Sequence, residues 1–389
     1  MSLLAIFLLW SAALPFILVG VSQNFNLTAA MGEPISLLLI ASGLVLAGVL
    51  LVPSAVFSLF ALLGRKTRSF PQKAVYWIAG FSILFLPLAL LAGRWVIQNA
   101  KPVWLLLPPL HILAICIPIL WLVLLGSRGL PAGSPKRVWG VFGSGLVLGP
   151  LLVIILEIFV MVLLLVAFVL YASSQPDLVA ELSRLADRIS ASPQDPAVLQ
   201  QMIAPFLLRP AIAFGAIVFF SVIVPLIEEA IKPIGAWLLV GENLIPAAGF
   251  SAGLLSGAGY ALFENLFYTA SIPNWATLVI MRSGTALMHI VTAGLTGWAL
   301  ARAWRYRSYL GLGIVYLISV LIHGLWNGLS LLSAAGQIAP DQLAGSFLQE
   351  LLSAAPISLL VLSAALFVLL IKFNSDLRKS SAGSAQNVL

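Results

Sequence analysis

The chain has 389 residues, of which 61% are hydrophobic and only 8% charged, and its mean hydropathy is +1.09. Soluble globular chains carry about 25% charged residues, so this composition excludes a water-soluble enzyme, a disordered chain and an ordinary nucleic-acid binder. The formal charge of +7 must be weighed against where the charges sit, and the single cysteine, Cys116, excludes an intramolecular disulfide and a cysteine-based zinc site.

A helix crosses a bilayer core of about 30 Å with about 20 apolar residues. Ten such runs follow one another, over residues 2–22, 35–63, 74–93, 103–125, 138–171, 210–240, 247–270, 281–302, 309–333 and 351–371. The expected fold is all-α, a polytopic transmembrane helical bundle. No Lys or Arg precedes Arg65, so the first run reads as a retained span rather than a signal peptide. The second run is long and holds Pro53, which predicts a kink, a tilt or an extension at one end. Thirteen of the twenty basic residues fall in loops on one side, among them Arg65, Lys66, Arg68, Arg128, Arg305 and Arg378; six, including Lys101, fall on the other. The side with thirteen is cytoplasmic by the positive-inside rule, which puts both termini in the cytoplasm. The net charge is then mostly topology. Trp95, Trp139, Trp275 and Trp304 lie near span ends and read as interface anchors. Arg282 opens the eighth run and reads as snorkelling to the outer interface.

The chain divides into an N-terminal five-span region (residues 1–171), an extracytoplasmic segment (172–209), a C-terminal five-span core (210–373) and a cytoplasmic tail (374–389), whose last dozen residues, from about Arg378, are expected to lack structure. In the extracytoplasmic segment Leu178, Leu182, Leu185 and Ile189 recur at helical spacing among Asp177, Glu181, Arg184, Asp187 and Arg188. That pattern predicts an amphipathic surface helix, with a second short helix after Pro196. The segment reads as a solvated connector, or as a lid or substrate-docking element. In the first five runs, His111 and Cys116 read as core-facing and inert, and Glu157 as a protonated structural carboxyl.

The chemistry concentrates in the second half, where ionisable residues inside spans are functional hypotheses by default. The sixth run contains Glu228, Glu229 and Lys232 between Pro225 and Pro233. Residues four apart share a helix face, so Lys232 lies under Glu228 and within reach of Glu229, and can neutralise one carboxylate. The prolines cannot donate to the carbonyls of Ser221 and Glu229, which loosens the helix on both sides of the acidic pair. The seventh run sets Gly249, Gly253 and Gly257 in a stripe that admits a second helix closely. Glu264 lies seven residues past Gly257, about 20° from it around the helix, with Asn265 beside it. The eighth run carries His289, and the ninth places His323 and Asn327 four apart on one face. With neutral His, Glu228, Glu229, Glu264 and Lys232 sum to −2, which two protons or one divalent cation would cancel equally well.

Glu228-Glu229-Ala-Ile-Lys232 resembles the EExxK motif of the PrsW family of bacterial intramembrane proteases, which is related to the CAAX prenyl proteases and to bacteriocin self-immunity homologues. Gly259-Tyr-Ala-Leu-Phe-Glu264-Asn265 is similar to that family's second motif, His289 to its single-His motif, and His323-Gly-Leu-Trp-Asn327 to its HxxxN motif. The likeness covers about residues 210–333, and Tyr260 stands where the second motif often carries Phe. It implies an intramembrane endopeptidase of the bacterial cytoplasmic membrane, with Glu228, Glu229, Glu264, His289, His323 and Asn327 catalytic and Lys232 and Asn265 supporting. Glu228 would activate water, aided by Glu229 or Glu264, and His323 and Asn327 would hold the oxyanion or the water. Zn2+ on Glu228, Glu264, His289 and His323 and a metal-free glutamate mechanism both stay open. The implied partners are the lipid bilayer and a membrane-anchored protein substrate, such as an anti-sigma factor, and no nucleic acid. Two other readings compete. A proton- or cation-coupled transporter would also place carboxylates and His at the midplane, but the chain shows no inverted repeat. The third reading is a non-catalytic scaffold or immunity protein of the same fold.

Overall fold

The computed structural model describes residues 2–24, 33–65, 72–99, 103–191, 196–207, 209–267, 274–338 and 347–386. Lys66, Arg68 and Lys101 of the loop charges, and residues 192–195, 268–270 and 387–389 of the expected elements, lie outside them. Among the described residues there is no strand. The helices are α1 (Ser2–Asn24), α2 (Glu33–Leu62), α3 (Gln72–Gln98), α4 (Leu107–Gly126), α5 (Pro135–Gly143), α6 (Gly149–Ser173), α7 (Pro176–Ala191), α8 (Pro196–Leu207), α9 (Pro210–Val218), α10 (Val224–Ile231), α11 (Ile234–Trp237), α12 (Pro246–Phe267), α13 (Trp275–Tyr306), α14 (Tyr309–Ile338) and α15 (Phe347–Gln386). Five of them open on a proline, whose fixed φ suits the first helical turn and whose missing N–H is not needed there.

Nine helical stretches among the described residues are long and apolar enough to cross a membrane. The expected seventh span, α12, is helical but is not one of the nine. Its Gly, Ala and Ser positions lower its hydropathy, and most of its length is buried among other helices. The over-long fifth run resolves into α5 and α6, joined without a break by a π-helical stretch at Ser144–Leu148. The second run is one unbroken helix, α2, with Pro53 inside it.

The chain forms two compact units. The first comprises Met1–Leu151, Glu229–Ser319 and Ser363–Leu389; the second comprises Leu152–Glu228 and Val320–Leu362. These boundaries differ from those of the four regions read along the sequence.

At the centre of the first unit α12 lies along α13, and glycine sets how close they come. A Cβ on Gly253 would sit 2.1 Å from the Ala293 carbonyl oxygen, and one on Gly257 2.6 Å from that of His289. The predicted stripe is therefore the α12–α13 contact. The opposite side of α12 is just as tight: a Cβ on Gly145 would meet the Ser256 carbonyl oxygen at 2.0 Å, and one on Gly259 that of Phe142 at 2.3 Å. The π-helical stretch is the backbone that enters this gap.

Two expectations fail in this unit. Trp275 is not an interface anchor. It is 2% exposed and stacks where a Gly93 side chain would be, and its Nε1 donates to His111 Nδ1 at 3.0 Å. The C-terminal tail is not unstructured either: α15 continues to Gln386. Asn374 donates to the carbonyls of Gly126 and Arg128, which the end of α4 leaves without helical partners.

In the second unit α7 and α8 take the places predicted for the amphipathic and short helices. Arg209 bonds the Glu181 carboxylate and holds it below its usual pKa. The helix ahead of the acidic pair passes through a second π-helical stretch, Phe219–Ile223.

Candidate functional site

The first unit holds a continuous chain of polar groups, buried except at Glu264, whose side chain is 34% exposed. Its origin is the predicted weak point at Pro233. Helix α10 ends at Ile231, Lys232 and Pro233 form a turn, and α11 begins at Ile234. Ser256 of α12 mends this break. Its hydroxyl donates to the Lys232 carbonyl at 2.6 Å and accepts from the Gly235 N–H at 3.0 Å. Lys232 is thereby fixed with its side chain inaccessible to solvent, and its ammonium donates to Glu229 Oε1 at 2.5 Å. Of the two carboxylates within its predicted reach, Lys232 thus takes the one three residues back.

The same ammonium lies 2.6 Å from His289 Nδ1. The other ring nitrogen, Nε2, lies 2.5 Å from Glu264 Oε2. Glu264 Oε1 pairs with Arg282 at 2.8 Å. Arg282 Nε donates to Asn265 Oδ1 at 2.7 Å, and Asn265 Nδ2 returns a bond to the Arg282 carbonyl at 3.1 Å. The tautomer of His289 follows from its neighbours. An ammonium only donates and a carboxylate only accepts, so Nδ1 is the acceptor and Nε2 carries the proton. Tyr260 borders this chain, edge-on to the His289 ring and 5.6 Å from the Lys232 ammonium.

Arg282 corrects the sequence reading. It does not snorkel to the interface; its side chain is 11% exposed and turned onto Glu264 and Asn265. A signal for this was present. Arg282 and His289 are seven residues, two turns, apart on α13, which puts them on one face. Ser256 was also missed, because a serine in a small-residue stripe looks like packing alone.

The second unit holds the other expected residues. His323 of α14 is 2% exposed, and its Nε2 lies 3.9 Å from Glu228 Oε2. Asn327, one turn on, donates to the Phe220 carbonyl at 2.8 Å. The reason lies in the local sequence. The π-helical stretch shifts bonding to i+5, as the Val224 N–H to the Phe219 carbonyl shows. The i+5 partner of Phe220 is then Pro225, which has no N–H. Asn327 supplies the missing donor. Gly324 lets α14 come this near, since a Cβ there would lie 2.2 Å from the Ser221 carbonyl oxygen.

Within the second unit, Glu228 and His323 suit a divalent metal. Two ligands of one tetrahedral zinc, each about 2.0–2.1 Å from it, lie about 3.4 Å apart, close to the 3.9 Å between them. In the first unit Glu264 already uses both oxygens, on Arg282 and His289. A carboxylate bonded to one nitrogen of a histidine is the usual support for an imidazole whose other nitrogen acts on a metal, water or substrate.

No curated protein and no solved structure matches the chain. Residues 190–372, just under half of the chain, match the PrsW family intramembrane metalloproteases. With nine helical stretches among the described residues fit to cross a bilayer, the chain is an integral membrane protein, and the segment that carries every candidate site residue is similar to that family.

Proposed function

We propose that the protein is an intramembrane endopeptidase of a bacterial cytoplasmic membrane that hydrolyses a peptide bond of a membrane-anchored protein. The observation that supports this best is the polar chain Glu229–Lys232–His289–Glu264 inside the matched segment. A structural ion pair needs two partners. It does not need a neutral imidazole between an ammonium and a carboxylate, held by a second cation on the far side.

Glu228 and Glu229 are consecutive residues. In this reading Glu228 takes the proton of the attacking water and returns it to the leaving amine. An amide has two N–H donors; Asn327 spends one on Phe220 and, with His323, offers the other to the oxyanion. Lys232 and Arg282 compensate Glu229 and Glu264, so counting Arg282 brings the sum of these charges from −2 to −1. A zinc ion, where bound, would be held by Glu228 and His323 and would supply a more acidic water. The substrate the resemblance implies is a membrane-bound regulator such as an anti-sigma factor.

The test is cleavage of a co-expressed single-span substrate. Glu228→Gln is expected to lower it by about 10²–10⁴-fold, the usual worth of a general base. Unchanged cleavage by that variant would overturn the assignment. A zinc site predicts that a chelator stops cleavage, that added zinc restores it, and that His323→Ala is purified without the metal. Cleavage indifferent to chelation would assign the reaction to the carboxylates alone.

A further inference from the structure

We propose that Arg282 is a positioning residue. It fixes the Glu264 carboxylate so that His289 is held as the Nε2–H tautomer, with Nδ1 turned toward Lys232. The proposal deepens the proteolytic reading, and its effect on activity rests on that reading, whereas the geometry it predicts does not.

The two oxygens of Glu264 have separate duties. Oε1 faces Arg282 at 2.8 Å and Oε2 faces His289 Nε2 at 2.5 Å. The guanidinium is itself pinned by a reciprocal pair of bonds, from its Nε to Asn265 Oδ1 and from Asn265 Nδ2 to the Arg282 carbonyl. This ring ties α13 to the Glu264-Asn265 dipeptide of α12, and leaves the carboxylate little freedom to rotate. A charged partner keeps both oxygens of Glu264 as acceptors, so the proton between Glu264 and His289 belongs to the ring. Nδ1 is then a bare acceptor, which matches the donor-only ammonium of Lys232 at 2.6 Å. A neutral residue at 282 would free Oε1 and let the carboxylate turn away from Nε2, so that the Nε2–H loses its fixed acceptor and the ring is no longer held against Lys232. Lysine at 282 would keep the charge but lose the fork that reaches Glu264 and Asn265 together.

The chain has only three histidines, so ¹⁵N-histidine spectra of the full-length protein can be assigned from His289→Gln and His323→Gln. His111 is an internal control. Its Nδ1 accepts from Trp275, so it too should be an Nε2–H tautomer, and it touches neither Arg282 nor Glu264. The wild-type spectrum must show His289 neutral, with Nε2 protonated and Nδ1 bare. Any other state overturns the proposal without recourse to a variant. Arg282→Gln is expected to shift the Nε2–H signal of His289, as its bond to Glu264 is lost, and leave that of His111 in place, with Arg282→Lys intermediate. An unaltered His289 signature in Arg282→Gln overturns the proposal. Should Arg282→Gln disturb His111 as well, Arg282→Lys and the wild-type tautomer decide. Cleavage by Arg282→Gln is expected to fall about 10–100-fold, the usual cost of losing an outer residue that orients a histidine of a site, mainly in kcat. A wild-type protein that shows the tautomer and cleaves no substrate would sink the proteolytic reading and leave the positioning role standing.

Discussion

Asn327 occupies a position that the sequence marks as catalytic, yet its amide also has a structural duty. It replaces the N–H that Pro225 lacks and so supports the π-helical stretch ahead of Glu228. The two residues are therefore coupled. Asn327→Ala leaves the Phe220 carbonyl without this donor, at a cost of about 0.5–1.5 kcal/mol. Pro225→Ala restores a backbone N–H at the i+5 position. Unfolding in detergent is expected to show the double variant less destabilised than the sum of the two single ones, with an interaction of about 0.5–3 kcal/mol. Strict additivity would show that Asn327 does not serve that carbonyl. The motif residues were legible because ionisable groups inside a hydrophobic run stand out. Their partners were less so. Arg282 looks the same in sequence whether it turns out to the interface or in to Glu264, because the choice depends on a carboxylate on another helix. Lys232 could have paired with either neighbouring glutamate, and the turn at Pro233 decides which.

At the scale of elements, the site depends on how closely α12 and α13 approach. Glu264 and His289 stand on these two helices, and a bond of 2.5 Å leaves no room for them to part. Gly253→Ala puts a methyl group 2.1 Å from a backbone carbonyl oxygen that cannot step aside. The helices must separate, at about 1–3 kcal/mol or more for overpacking. Cleavage should fall further than that loss of stability explains, since the Glu264–His289 bond lengthens. Gly80→Ala in α3 is the control. A Cβ there meets nothing within 4 Å, so a small gain of about 0.4–1 kcal/mol is expected from the stiffer unfolded chain. Equal effects of the two substitutions, read by thermal unfolding and by cleavage, would refute the close-packing argument. The stripe of glycines was legible because four-residue spacing has one geometric meaning on a helix. The two π-helical stretches were not, because nothing in Ser144–Leu148 or Phe219–Ile223 departs from an ordinary apolar helix. The first fits the approach of Ser256, and the second precedes a proline.

On the scale of the molecule, the scarcity of charge identified the bilayer as the solvent, but it could not show what the first five runs are for. The matched segment begins at residue 190, yet the first compact unit joins residues before 151 to residues 229–319. The contacts are specific. The turn at Lys232 is mended by Ser256, whose own backbone is packed against Gly145. Val141 closes on Gly235, and Phe142 and Leu146 close on Gly259. His111 accepts from Trp275 and faces the Leu266 carbonyl, so it holds the end of α12 and the start of α13. Between helices in lipid the driving force is packing and hydrogen bonding rather than escape from water, and an interhelical bond is worth about 1–2 kcal/mol at most. Such contacts cannot be replaced by acyl chains, which have neither the shape to enter a glycine groove nor an acceptor for Trp275. A chain of residues 152–389 is therefore expected to insert but not to hold α12 and α13 in register. It should be cut readily by added protease, run polydisperse in detergent and cleave no substrate, while co-expression of residues 1–151 as a separate chain should restore a protease-resistant, active complex. A fragment as resistant and as active as the full chain would show that the N-terminal helices are no part of the working core.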